Sequence, residues 1–101
     1  MIKISYRKHI KSNIINIQEA YKLQIYKGAI IVDVRSRQEY YEGHISGSIN
    51  IPLIDFEKYS IDRNKIIILY CNAGVRSRKA MMILKSKGYK DVYILEMKEI
   101  P

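Results

Sequence analysis

Cysteine is almost missing from this chain of 101 residues: Cys71 is the only one. A solitary cysteine excludes an internal disulfide and a zinc site built from several cysteines. The two histidines, His9 and His44, lie far from Cys71 in sequence and show no metal-ligand spacing, so neither a metal nor another cofactor is expected. No apolar stretch approaches the roughly 20 residues needed to span a membrane. The segment Met1–Lys8 interleaves charge with apolar residues and lacks the continuous apolar core of a signal peptide, so a cytoplasmic location is the expectation. Internal repeats, low-complexity tracts and Gly/Ser linkers are absent too, which predicts a single domain over residues 1–101; a monomer is the expectation.

Acidic residues are also in deficit. Ten Asp and Glu stand against 18 Lys and Arg, a formal net charge of +8. Such a surplus suits a nucleic acid, an acidic protein partner or an anionic substrate. Ile, Lys, Asn and Tyr are abundant together, however, and all have AT-rich codons, so base composition by itself accounts for the lysine total. The lysines are scattered rather than gathered in one block. Nucleic acid and membrane are therefore not expected as partners, and functional weight goes to charges beside Cys71.

With 48% hydrophobic and 28% charged residues, the composition is that of a globular protein with one modest core. Asn13-Ile14-Ile15 reads as a short strand. Asn16 with Glu19 forms a capping box that opens a helix to about Tyr26, with Ala20, Leu23 and Ile25 turned inward and Lys27-Gly28 closing it. Ala29 to Val34 is a near-continuous apolar run, as expected of a parallel strand covered on both faces. Ser36 with Glu39 is a second capping box, for a short helix to about Tyr41. A turn at Gly43–Ser48, an extended piece at Ile49–Pro52 and a helix from about Leu53 to Tyr59 follow. Ile66 to Tyr70 is the next buried strand. A helix from about Val75 to Lys87 buries Ala80, Met81 and Leu84 and stops at Gly88, and Asp91 to Leu95 is the last strand. Strands alternating with helices predict an α/β fold with a parallel sheet, whose ligands bind beyond the carboxyl ends of the strands. Cys71 falls there.

The loop Cys71-Asn72-Ala73-Gly74-Val75-Arg76 lies between a buried strand and a basic helix. If it curls into a semicircle, the amides of Asn72 to Arg76 can point at the sulfur, Gly74 permitting the tight backbone. Those donors, the helix N-terminus and the Arg76 guanidinium would favour thiolate over thiol and hold an attached anion. Covalent catalysis follows: the thiolate takes a sulfane sulfur, and a small thiol or cyanide collects it. Arg76 would bind the anionic donor, with Arg78 and Lys79 as weaker, exposed contributors. A lone cysteine ending an apolar strand is more often an inert core residue. Local residues leave both readings open.

Two separated segments carry a resemblance. Asp33-Val34-Arg35-Ser36-Arg37-Gln38-Glu39-Tyr40, then Gly43-His44-Ile45-Ser46-Gly47-Ser48-Ile49-Asn50-Ile51-Pro52, closely resembles the pattern DVR…E(F/Y)…GHI-G-A-NIP. Tyr70 to Ser77 is similar to the active-site loop of the same family, the rhodanese-like single-domain sulfurtransferases. The resemblance covers about residues 13 to 95, with both motifs in the family's order. It implies a rhodanese-like, three-layer α/β domain with a central parallel sheet flanked by helices. It implies a thiosulfate-type transferase in which Cys71 and Arg76 are catalytic and Cys71 carries a persulfide. The backbone of Asn72, Ala73, Gly74, Val75 and Arg76 would cradle it. Asp33 and Arg35 match positions that organise the site, as a structural ion pair or loop anchor, with Glu39 a partner for Arg35. His44 is expected to be a satisfied structural residue, Met81 core filler and Met82 helix surface.

A six-residue loop, counting Cys71 and Arg76, resembles the sulfurtransferases; related phosphatases have one residue more, which widens the ring. A phosphatase or arsenate reductase is thus disfavoured. The alternative to an enzyme is a sulfur-relay or regulatory module that docks an acidic protein. Relatives often continue after the last strand with Leu-Glu-Gly-Gly and a helix ending near a tryptophan. Here the chain reads Leu95-Glu96-Met97-Lys98-Glu99-Ile100-Pro101, without the paired glycines and without tryptophan. That departure is expected to leave one pocket wall open, weaken the fold or signal reliance on a partner.

Overall fold

A computed structural model of the chain describes residues 13–98. The readings placed on Met1–Lys8, His9 and Glu99–Pro101 lie outside the described residues. The order of elements is β1 (Ile14–Ile15), α1 (Ile17–Lys27), β2 (Ile30–Asp33), α2 (Arg37–Glu42), β3 (Ile49–Asn50), a 3-10 helix (Leu53–Lys58), β4 (Ile67–Tyr70), α3 (Val75–Ser86) and β5 (Val92–Leu95). The strands form one sheet in the order β1-β5-β4-β2-β3, every pairing parallel. β4 sits at its centre, and all four of its residues are buried.

Local chemistry explains most of the boundaries. Asn16 Oδ1 accepts from the Glu19 amide at 2.8 Å, and Glu19 Oε1 accepts from the Asn16 amide at 2.9 Å, which starts α1. Gly28 ends it in the left-handed region, φ +68°, donating back to Leu23 and Gln24 carbonyls. The same reciprocal box at Ser36 and Glu39 starts α2. Ala20 and Leu23 face the sheet as expected, but Ile25 is 70% exposed. Two positions along a helix turn the side chain by about 200°, so Ile25 cannot share the face of Leu23.

Strand alternation sorts the core into two faces. Val32, Val34, Ile67, Leu69, Cys71 and Val92 pack with Phe56 of the 3-10 helix and with Ala80 and Leu84 of α3. Ile31, Ile68, Tyr70 and Leu95 pack on the other side with Ala20 and Leu23 of α1. The result is the expected three-layer α/β domain. Fully buried residues such as Ile67 and Ile68 contribute about 1.5–3 kcal/mol each relative to exposure. No helix among the described residues is long and apolar enough to cross a membrane.

Candidate active site

Alternation along β4 sends the first residue past the strand, Cys71, to the α3 face. Its side chain is only 3% exposed and belongs to the apolar cluster beneath α3. The sulfur is nevertheless not surrounded by hydrocarbon alone. Sγ accepts from the Gly74 amide at 3.1 Å and from the Ser77 amide at 3.2 Å. Ser77 Oγ lies 3.4 Å from Sγ and 3.2 Å from the Gly74 carbonyl. In the thiol form S–H donates to that hydroxyl, and the hydroxyl rotor can turn its own hydrogen onto an ionised sulfur.

Gly74 is the N-cap of α3, with φ +85°, and no side-chain oxygen caps this helix. The cysteine sulfur takes that place. The first four amides of a helix, here Gly74, Val75, Arg76 and Ser77, have no intrahelical acceptor. Sulfur occupies two of them and leaves those of Val75 and Arg76 for a group attached to it. The sequence points to the amides of Asn72 to Arg76 as the cradle. Of that range, Gly74 bonds to the sulfur, and the second donor is Ser77, one residue beyond. The first turn of α3 carries the Ser77 amide round to the inner side, where Ser77 is fully buried.

Two ion pairs set the rim. Arg35 binds Asp33 through Nε at 3.0 and 3.1 Å and Nη2 at 2.7 Å, and Nη2 also donates to the Gly43 carbonyl at 2.7 Å. Asp33 is fully buried and Arg35 nearly so, and the hydrogen bond to Asp33 raises the Arg35 pKa. Arg76 forms a two-pronged pair with Glu39, Nη1 to Oε1 at 2.6 Å and Nη2 to Oε2 at 3.1 Å. The Arg76 guanidinium, helped by the Ser36 amide, brings the Glu39 carboxyl down from 4.5 to about 2. Glu39 thus pairs with Arg76 rather than with Arg35, whose guanidinium is taken by Asp33, two residues before it, and by the Gly43 carbonyl. Asn72 links the two pairs. It donates to Glu39 Oε2 at 3.4 Å and accepts from the Tyr70 hydroxyl at 3.3 Å, while Arg35 lies 5.3 Å above the Tyr70 ring. Burial raises the Tyr70 pKa.

Cys71, Asn72, Ala73 and Gly74 line a cavity of about 110 Å³ together with Arg78, Ile94, Leu95 and Glu96. Arg76 faces a neighbouring open groove with Val34, Pro52 and Ile54. Val75 is 58% exposed. His44 stands apart, its Nδ1 2.8 Å from the Tyr40 carbonyl and its ring stacked on Tyr40 at 3.7 Å. Met81 is half-buried against the core and Met82 is exposed.

A family model for the rhodanese-like domain matches residues 16–97. The chain belongs to the rhodanese-like domain family. It is 32% identical over 79 residues to the thiosulfate sulfurtransferase GlpE of Coxiella burnetii, covering 76% of this chain and 74% of that protein. It is 36% identical over 77 residues to a tRNA uridine(34) hydroxylase of Buchnera aphidicola, covering 66% of this chain but spanning only 24% of the hydroxylase. In structure it is similar to the human single-domain sulfurtransferase TSTD1, with a TM-score of 0.72 and 25% identity over 87% of this chain and 92% of that one.

Within this rhodanese-like domain, sequence reasoning passed over Ser77, while Arg78 is exposed as expected. Ser77 lies three residues before Ala80 and seven before Leu84, on the apolar stripe of α3. A serine on such a stripe needs a hydrogen-bond partner, and that signal was available.

Proposed function

We propose that this rhodanese-like domain is a sulfurtransferase that moves a sulfane sulfur from thiosulfate, or a similar anionic donor, through a persulfide on Cys71. The observation that carries the reading is the pair of amides, from Gly74 and Ser77, aimed at Sγ at 3.1 and 3.2 Å. The relatives named thiosulfate sulfurtransferase, GlpE and PspE, support it. The Cys71 thiolate attacks the outer sulfur of thiosulfate, a new S–S bond forms, and the old one breaks with its electron pair leaving on sulfite. The negative charge then sits on the outer persulfide sulfur, where the spare amides of Val75 and Arg76 offer hydrogen bonds. Cyanide or a thiol attacks that sulfur and returns Cys71 as thiolate. Arg76, held by Glu39, closes the ring, and Asp33 with Arg35 fixes the end of β2 beside it. Every group invoked comes from one chain and no cofactor enters. A free thiol cycling this way suits a reducing, cytoplasmic compartment.

Thiosulfate and cyanide should yield thiocyanate with the wild type and none above background with Cys71→Ser. Equal thiocyanate from both proteins would remove the reading. A second reading has its own support: Ile54, 88% exposed, shares a groove with Arg76, and Val75, 58% exposed, precedes Arg76 in the chain. Under it the domain is a sulfur relay, turning over cyanide poorly yet passing persulfide to one acidic protein in a complex that salt weakens.

A further inference from the structure

The cationic group expected to receive the anionic donor is already engaged. Both terminal nitrogens of Arg76 are bonded to Glu39, so its charge is compensated before any donor arrives. Arg76 also faces a different groove from the cavity that contains Cys71. Arg35 and Arg37 are likewise paired, with Asp33 and Asp55. Arg78 differs on each count. It forms one wall of the Cys71 cavity, and among the described residues it has no carboxylate partner. Its nearest sequence surroundings offer none either, since no Asp or Glu occurs from residue 63 to residue 90.

Arg78 also folds over the loop rather than extending away from it. Its Nη1 lies 2.9 Å from the point a Cβ on Gly74 would occupy. The guanidinium therefore rests against the bare Gly74 backbone, on the same loop that supplies an amide to sulfur. Glu96 is the one carboxylate residue on the cavity wall, and no ion pair joins it to Arg78. A volume of about 110 Å³ suits an anion of a few heavy atoms.

We propose that Arg78, not Arg76, holds the sulfonate end of the donor while Cys71 attacks its outer sulfur. This rests on the sulfurtransferase reading above and assigns the donor's charge to a specific residue. Arg76 then acts as a positioning residue, keeping the first turn of α3 in place through Glu39. Arg78 contacts the substrate and decides which donors bind: dianions with a compact oxygen-rich end gain from it, and neutral sulfane donors such as a dialkyl trisulfide do not.

The test is steady-state thiosulfate kinetics at fixed cyanide for wild type, Arg78→Gln, Arg78→Lys and Lys85→Gln. Lys85 lies two turns further along α3 and controls for the loss of one positive charge. Arg78→Gln should raise the thiosulfate KM about tenfold with little change in kcat, because a charge-assisted contact to the bound donor is lost. Arg78→Lys should recover part of that loss, and Lys85→Gln should match the wild type. Reaction of Cys71 with the neutral trisulfide, read by intact mass as the alkylthio adduct left when a perthiolate departs, should be equal in wild type and Arg78→Gln, and matching circular dichroism of the two proteins shows that the variant is folded. A thiosulfate KM for Arg78→Gln within about twofold of wild type, less than one charge-assisted contact is worth, overturns the assignment. So does an equal rise in KM for Lys85→Gln, or an equal loss with the trisulfide. Absence of a one-sulfur adduct on wild-type Cys71 after thiosulfate removes the sulfurtransferase reading itself, a different result from active enzyme with an indifferent Arg78.

Discussion

Glu39 serves two elements with one carboxylate. Oε1 accepts from the Ser36 amide at 2.9 Å, which caps α2, and from Arg76 Nη1 at 2.6 Å, which ties α2 to α3. Its depressed pKa has a definite consequence for stability. A carboxyl titrating at about 2 in the fold and 4.5 otherwise stabilises the fold fully above 4.5, and that contribution is lost as pH falls toward about 2. Both side chains of the pair are about one-third exposed, so solvent screening holds the effect to about 1 kcal/mol. Urea unfolding should therefore show Glu39→Gln less stable by that amount at neutral pH, the gap closing between 4.5 and 2. A gap that stays constant over that interval would refute the assignment. The capping half of this arrangement is legible in sequence because Ser36 and Glu39 are three residues apart. The Arg76 half is not, because nothing local connects positions so distant. Asp33 and Arg35 are an intermediate case: they lie two residues apart at the end of β2, and Asp33 takes the Arg35 guanidinium that Glu39 was expected to pair with.

At the scale of elements, β4, the loop and α3 act as one unit. Alternation fixes which side Cys71 faces, and the turn at Gly74 brings the helix amides back over its sulfur. Gly74 is held at φ +85°, where a side chain costs about 1–2 kcal/mol. Gly74→Ala should lower the unfolding free energy by about that much and slow persulfide formation, since the Gly74 amide shifts and Arg78 is displaced. Wild-type stability together with a wild-type rate would contradict this. Element type and order were readable because caps, glycines and apolar runs are local signals. The helix expected at Leu53 to Tyr59 is a 3-10 helix over Leu53–Lys58, held by contacts such as Asp55 to the Pro52 carbonyl. Over six residues the two helix types bury the same Phe56, so the pattern of apolar residues does not separate them.

The whole molecule depends on pairings that no local pattern specifies. β1 and β5 come from opposite ends of the described chain and lie side by side, Ile14 against Ile94. Parallel, doubly covered strands could be inferred from their apolar character, but the order β1-β5-β4-β2-β3 could not. That order makes β4 central, which is why Cys71 emerges at the middle of the carboxyl edge of the sheet, where α2 and α3 supply the Glu39–Arg76 pair. The cavity wall contributed by Ile94, Leu95 and Glu96 has the same origin, since β5 pairs with β4 along its length.

The most direct measurement is the intact mass of the protein after brief exposure to thiosulfate. Wild type should gain the mass of one sulfur atom, removed by cyanide or a reducing thiol, and Cys71→Ser should gain nothing. An unchanged wild-type mass, or the same gain on Cys71→Ser, would contradict a sulfur carried at Cys71.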